Sequence, residues 1–166
     1  MNRLHPLALA LVFALSAAPA LAQQIKAGDL TIENPWTRAT PKGAEVGAGY
    51  LVIRNDGAAP DRLTGGSADF AAIEIHEMSM DGGVMKMREL KDGLVVPAHG
   101  SVKLAPNGYH LMFTALKSPL VKGQSVKATL AFERAGAVVV DFAVQGVGAA
   151  APGDGVNGMD MKGMKM

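Results

Sequence analysis

The residues best equipped for chemistry lie between Ala71 and Met112: His76, Met78, Met80, Met85, Met87, His110 and Met112. The chain has no cysteine. Side chains two apart on an extended strand project from one face. His110 therefore shares a face with Met112, while Tyr109, Leu111 and Phe113 share the opposite one. The same period groups Met85 with Met87, and His76 with Met78 and Met80. Imidazoles and thioethers without a thiolate or a carboxylate cluster suit a soft monovalent ion, and copper(I) fits best. Zinc favours thiolate, imidazole and carboxylate. Blue copper needs a thiolate beside two histidines. Calcium and magnesium need convergent oxygens, which Glu74 and Glu77 alone do not supply. A neutral donor set leaves the ion's charge uncompensated, so it should hold copper(I) firmly yet surrender it to a thiolate, as a carrier does.

Each candidate alone has an ordinary explanation. A strand histidine is commonly a surface or satisfied core residue, and a methionine commonly fills a core gap. Their combination carries the metal reading. Within the domain the methionines occur only at 78–87 and at 112, each group beside a histidine in strand register.

The surrounding segments read as strands. Leu30–Ile32 is a short strand closed by Asn34-Pro35, and the lone tryptophan, Trp36, is expected in the core. Residues 39–47 read as a loop, and Ala48–Arg54 as a strand ending at Asn55-Asp56-Gly57. Asp61–Leu63 and Ala71–Met80 follow, separated by Gly65-Gly66; Asp81-Gly82-Gly83 turns the chain into Val84–Leu90. Asn107-Gly108 connects tightly to Tyr109–Phe113. The last hairpin is the plainest, with Val126, Ala128, Leu130 and Phe132 alternating with polar positions and Val138, Val140, Phe142 and Val144 alternating after Ala135-Gly136. Short strands between turns, with no long amphipathic helix, predict an all-β antiparallel sandwich or barrel.

The two ends differ from the body. Residues 1–22 read as a cleaved signal peptide: Arg3, an apolar run from Leu7 to Ala18, then Ala20-Leu21-Ala22 at the cleavage site. That run is too short to favour a permanent span, so export to the periplasm without stable membrane insertion is expected. The domain is expected over 23–145, and 146–166 as flexible linker and disordered Met-rich tail. Losing Arg3 takes the formal net charge from +1 to zero, which offers no footprint for nucleic acid.

The run His76-Glu77-Met78 … Val84-Met85-Lys86-Met87-Arg88 … Pro106-Asn107-Gly108-Tyr109-His110-Leu111-Met112 resembles the periplasmic PCuA(C) copper chaperone family. Pro35-Trp36-Thr37-Arg38-Ala39-Thr40-Pro41 and Gly49-Tyr50 look like that family's opening, and the likeness spans residues 25–145. The resemblance implies a cupredoxin-like Greek-key sandwich holding copper(I) through His76, Met87, His110 and Met112. The family's second interval is one residue shorter than the one here between Met87 and His110, which leaves Met85 as the alternative to Met87. The resemblance also implies delivery to the copper-centre subunit of a respiratory cytochrome c oxidase, or to another periplasmic copper carrier. It gives Met78, Met80 and Met85 no ligand role, and a hydrophobic rim is the expectation for them. His99 falls outside the pattern and is expected in solvent.

Met159, Met161, Met164 and Met166, with Met85, are the candidates for a secondary copper(I) site. A flexible linker from Gly146 to Met159 spans roughly 20 Å, more than the domain's radius of gyration of about 14 Å. The tail could therefore reach the main site. A monomeric carrier is the leading reading; a periplasmic buffer that only sequesters copper(I) is the alternative, and an adhesion sandwich with packing methionines the third. Catalysis ranks last, because no Ser/His/Asp order, carboxylate pair or phosphate loop stands out.

Overall fold

The computed structural model describes residues 23–153. The expected signal peptide and Met159–Met166 lie outside them. Eleven strands follow in order: β1 (Gln24–Ala27), β2 (Leu30–Arg38), β3 (Gly47–Asn55), β4 (Asp61–Ser67), β5 (Ala72–Asp81), β6 (Val84–Glu89), β7 (Leu94–Val96), β8 (Gly100–Leu104), β9 (Tyr109–Thr114), β10 (Ser125–Phe132) and β11 (Gly136–Gln145). Among the described residues no helix is long and apolar enough to cross a membrane.

Alternation builds the core. On β11, Val138, Val140, Phe142 and Val144 are buried, facing Ala128, Leu130 and Phe132 of β10. Phe113 of β9 lies at the centre, edge-on to Phe70 at 5.2 Å and to Phe142 at 5.5 Å between ring centroids. The expected all-β sandwich forms, and its two layers join at their edges. Around the ring β3 pairs with β2, β2 with β11, β11 with β10, β10 with β4, β4 with β5, β5 with β9, and β9 again with β3. Closure leaves few free edges, which removes sites for unwanted strand pairing. Most pairings are antiparallel, as expected, and two are not: β2–β11 and β8–β9 run parallel.

Three local expectations are also refined. Asn34-Pro35 does not end the strand that starts at Leu30, which is β2 and runs to Arg38. Two residues there oppose one on β3, since Glu33 pairs with Val52 and Trp36 with Tyr50. Proline lacks the ladder donor, and a bulge is where a strand accommodates that loss. Trp36 is buried, but in a small outer cluster with Tyr50 and Ala149 rather than in the main core. The rings of Trp36 and Tyr50 lie 4.5 Å apart, and Arg38 Nε donates to Ala149 O at 2.7 Å. The start of the glycine- and alanine-rich stretch after Gln145 is thereby held against β2 and β3. Similarly, Gly65 and Gly66 fall within β4, where the register against β10 shifts, rather than between strands.

The β5–β6 hairpin, which carries His76 and four of the candidate methionines, is set by its turn. Asp81 pairs with Val84 across Gly82 and Gly83, whose φ values are 57° and 82°. Two successive positive φ angles match the two-residue turn that follows natural strand twist, and glycine adopts them without penalty. The β5–β9 ladder ends at Glu77 opposite Tyr109, so residues 78–87 continue past the barrel as a two-stranded ribbon.

Gly49 shows how tight the core is behind β9. A Cβ there would sit 2.6 Å from Phe113 Cζ and 3.2 Å from Phe142 Cε1. Gly49→Ala should therefore lower the unfolding free energy by about 1–3 kcal/mol. Urea unfolding checks it; an unchanged midpoint would mean the aromatic pair yields freely.

Candidate metal centre

β5 runs between β6 and β9, so one outer face carries three columns of side chains. His76 stands opposite His110 on one side and Glu89 on the other. One same-face step along β9, Met112 stands opposite Glu74, and on its other flank opposite Ala48 of β3. In the other direction Met78 pairs with Met87, then Met80 with Met85. The opposite face of these strands carries Ile75, Leu111 and Phe113, all buried in the core. Every methionine among the described residues lies on the outer face of these three strands.

The two imidazole centroids are 5.9 Å apart, with planes at 37°. That spacing leaves room between the rings for one ion held by nitrogen bonds of about 2 Å. Each ring has one nitrogen secured. His110 Nδ1–H donates to Gly108 O at 3.0 Å, leaving the Nε2 lone pair available. His76 Nε2–H donates to Glu74 Oε2 at 2.9 Å, leaving the Nδ1 lone pair. That His76 Nδ1 is buried without a hydrogen-bond partner. A carbonyl or carboxylate behind one nitrogen is the arrangement that fixes tautomer and ring orientation in metal-binding histidines. Among the described residues no group of three or more His, Cys, Asp or Glu is placed to hold a metal. The donors at hand to complete a shell around the two rings are thioethers.

The four main candidates do not stand equally close. His76, His110 and Met112 sit on adjacent positions of two barrel strands. Met87 lies on the β6 edge, diagonal to His76, and is 52% exposed. Met85 lies one further same-face step away, about 6.8 Å along the strand. His99 is exposed, as expected. The sequence reading missed three contributors. Glu74 orients His76, Gly108 O orients His110, and Glu89 stands beside His76. Glu74 was within reach of the period-two rule, because it lies two residues before His76. A backbone carbonyl carries no side-chain signal.

His110 is only 5% exposed. Burial holds its pKa below the ordinary imidazole value; the Gly108 carbonyl pulls it upward and the His76 ring pushes it further down. The neutral ring that a metal needs is thus favoured. A base with a lowered folded pKa binds fewer protons folded than unfolded, so stability is lost as pH falls through the unfolded value of about 6.5. The metal-free protein should accordingly become less stable from pH 7.5 toward 5.5, and His110→Gln should flatten that slope. Thermal melts across this range decide it; parallel profiles for the two proteins would exclude His110 as the source.

Residues 30–144 match the family described as "Putative lipoprotein LpqE-like". A curated relative, "Putative lipoprotein Lxx21020" of Leifsonia xyli subsp. xyli (strain CTCB07), is 31% identical over 108 residues, covering 64% of each chain. The chain thus spans just under two thirds of that relative's length. The solved "Copper-bound PCuAC domain from PmoF2" is 30% identical with a TM-score of 0.63, over 75% of this chain and 98% of its own. "CuI-DR1885 from Deinococcus Radiodurans" is 26% identical with a TM-score of 0.54, over 75% of this chain and 82% of its own. With most of its length matched, the chain belongs to the LpqE-like family, and its solved neighbours include PCuAC domains, the family its His/Met pattern resembles.

Proposed function

We propose that this protein is an exported, non-catalytic carrier of copper(I), binding the ion through His76, His110, Met112 and Met87 and delivering it to a respiratory cytochrome c oxidase copper centre. The observation that carries the reading is the unpartnered Nδ1 of His76. Burying a polar atom without a partner costs free energy, and an ion between the two rings would supply that partner. The solved neighbours described as copper-bound and CuI support the choice of ion. Thioethers beside imidazoles support the cuprous state.

The arrangement suits transfer. The histidines and Met112 stand on barrel strands, whereas Met87 stands on the exposed ribbon and can turn away without disturbing the core. All four donors are neutral, so an incoming thiolate gains an electrostatic advantage and can displace them one at a time, with no change in oxidation state. Register favours Met87 over Met85, which is a pleat farther from His76. The tail methionines at 159, 161, 164 and 166 are assigned a secondary capture role. Ala149 packs in the outer cluster with Trp36 and Tyr50, against Ala48, the residue opposite Met112.

Because His110 is buried, His76→Ala is the cleaner probe of the site. It should weaken copper(I) binding by at least about 100-fold, the upper end of what outer-shell losses alone produce. Met87→Leu should weaken it too, while Met85→Leu leaves the first ion's affinity intact. Anaerobic competition with a chromophoric cuprous chelator reads all three, and undiminished binding in His76→Ala would remove the proposal. Mixing loaded protein with a metal-free oxidase copper-centre domain separates delivery from storage. Copper should move to the oxidase domain; retention would favour the buffering alternative.

A further inference from the structure

The β5–β6 ribbon carries more thioethers than the proposed site uses. Met80 is 65% exposed and Met85 42%, and they stand directly opposite each other beyond the end of β9. Met78 occupies the next same-face position toward His76. Methionine usually fills irregular gaps in a core, yet no third strand pairs with the ribbon beyond Tyr109. Core filling therefore does not account for them.

The ribbon is also sorted by face. Its other side carries ordinary surface charge: Lys86 pairs with Asp81 at 2.5 Å and Arg88 with Glu77 at 2.6 Å. Each cation there has an acid beside it, so the back face presents no net positive charge to an approaching cation. The methionine side holds only soft donors. Directly opposed residues have Cβ atoms about 5 Å apart, and diagonal neighbours about 7 Å. Flexible three-torsion side chains on that frame can bring three sulfurs onto one ion.

We infer that Met78, Met80 and Met85 form a second site, an all-thioether seat for a soft monovalent cation, outward of the histidine pair. It rests on the copper(I) reading above, because the ion it would take is the same. Hard divalent ions want oxygen donors, and thioethers select cuprous copper or its redox-silent stand-in, silver(I). Without imidazole or charge the outer seat should bind more weakly than the inner one. The rungs are spaced about 6.8 Å apart, two residues along a strand, so an ion there sits one step from Met87.

The test uses the full metal-free chain, labelled at methionine methyl carbons and histidine nitrogens and titrated with silver(I). The His76 and His110 signals should move over the first equivalent, and the Met80 and Met85 methyls over a later one. Met80→Leu/Met85→Leu should weaken the later step by about tenfold or more, or 1.4 kcal/mol, with the first step unchanged. These exposed substitutions need no core rearrangement, and a circular dichroism spectrum verifies the fold. If the histidines respond and the Met80 and Met85 methyls stay still, this inference falls and the carrier site stands. The same holds if only the tail methyls account for the later equivalent. If the ribbon methyls move and the histidine signals never do, the carrier site falls and the ribbon seat remains. Silence from both removes both.

Discussion

The pairing of β5 with β9 fixes everything that follows. His76 faces His110 because Ile75 and Leu111, one position away on each strand, must face inward. A slip of one residue would send Leu111 and Phe113 to solvent and drive His110 and Met112 into the core. Each of those two hydrophobic side chains gains about 1.5–3 kcal/mol from full burial, so the correct alignment is strongly favoured. The face that carries the candidate ligands is thus held in register by the apolar face behind it. Gly49 contributes from the neighbouring strand, since its missing side chain lets β3 lie close against Phe113.

The same sheet also sets the electrostatics. Burial of His110 disfavours its charged form, while a carbonyl and a carboxylate hold one nitrogen of each ring. Burial thus readies His110 as a neutral donor, while the carbonyl and the carboxylate fix which nitrogen of each ring is left free. A pre-oriented site loses little on binding, and it does not have to expel a proton from His110 near neutral pH. Glu74 acts through His76, whose Nε2–H it holds.

Much of this could be read from the residues. The period-two rule placed His110 with Met112 and His76 with Met78, and it separated the core positions of the last hairpin from its polar ones. What stayed hidden depended on contacts distant in sequence. The β4–β5 and β3–β9 pairings that close the ring leave no mark on local alternation. Proline after asparagine signals a strand end, and only the β3 partner reveals that β2 carries through as a bulge. The segment around Ala149 looks like linker by composition, yet Arg38 and Trp36 give it a seat. Leu94–Val96 was too short to separate from its turns. Strand alignment across the sheet, which brings the two histidines face to face, needed the fold itself.

A carrier must satisfy demands that pull in opposite directions. It must exclude harder competitors, which favours a rigid site, and it must let go, which favours a loose one. Here the two demands fall on different parts of one face. The histidines stand on strands locked by the core, where ring spacing and tautomer are set. The remaining thioethers of β5 and β6 stand on a ribbon with solvent on its methionine face, where rotation costs little more than a torsional barrier. In the proposed carrier, selectivity therefore comes from the barrel and exchange from the ribbon. The absence of cysteine fits that division, since a thiolate here would bind the cuprous ion too tightly to lose it to the thiolates of an acceptor.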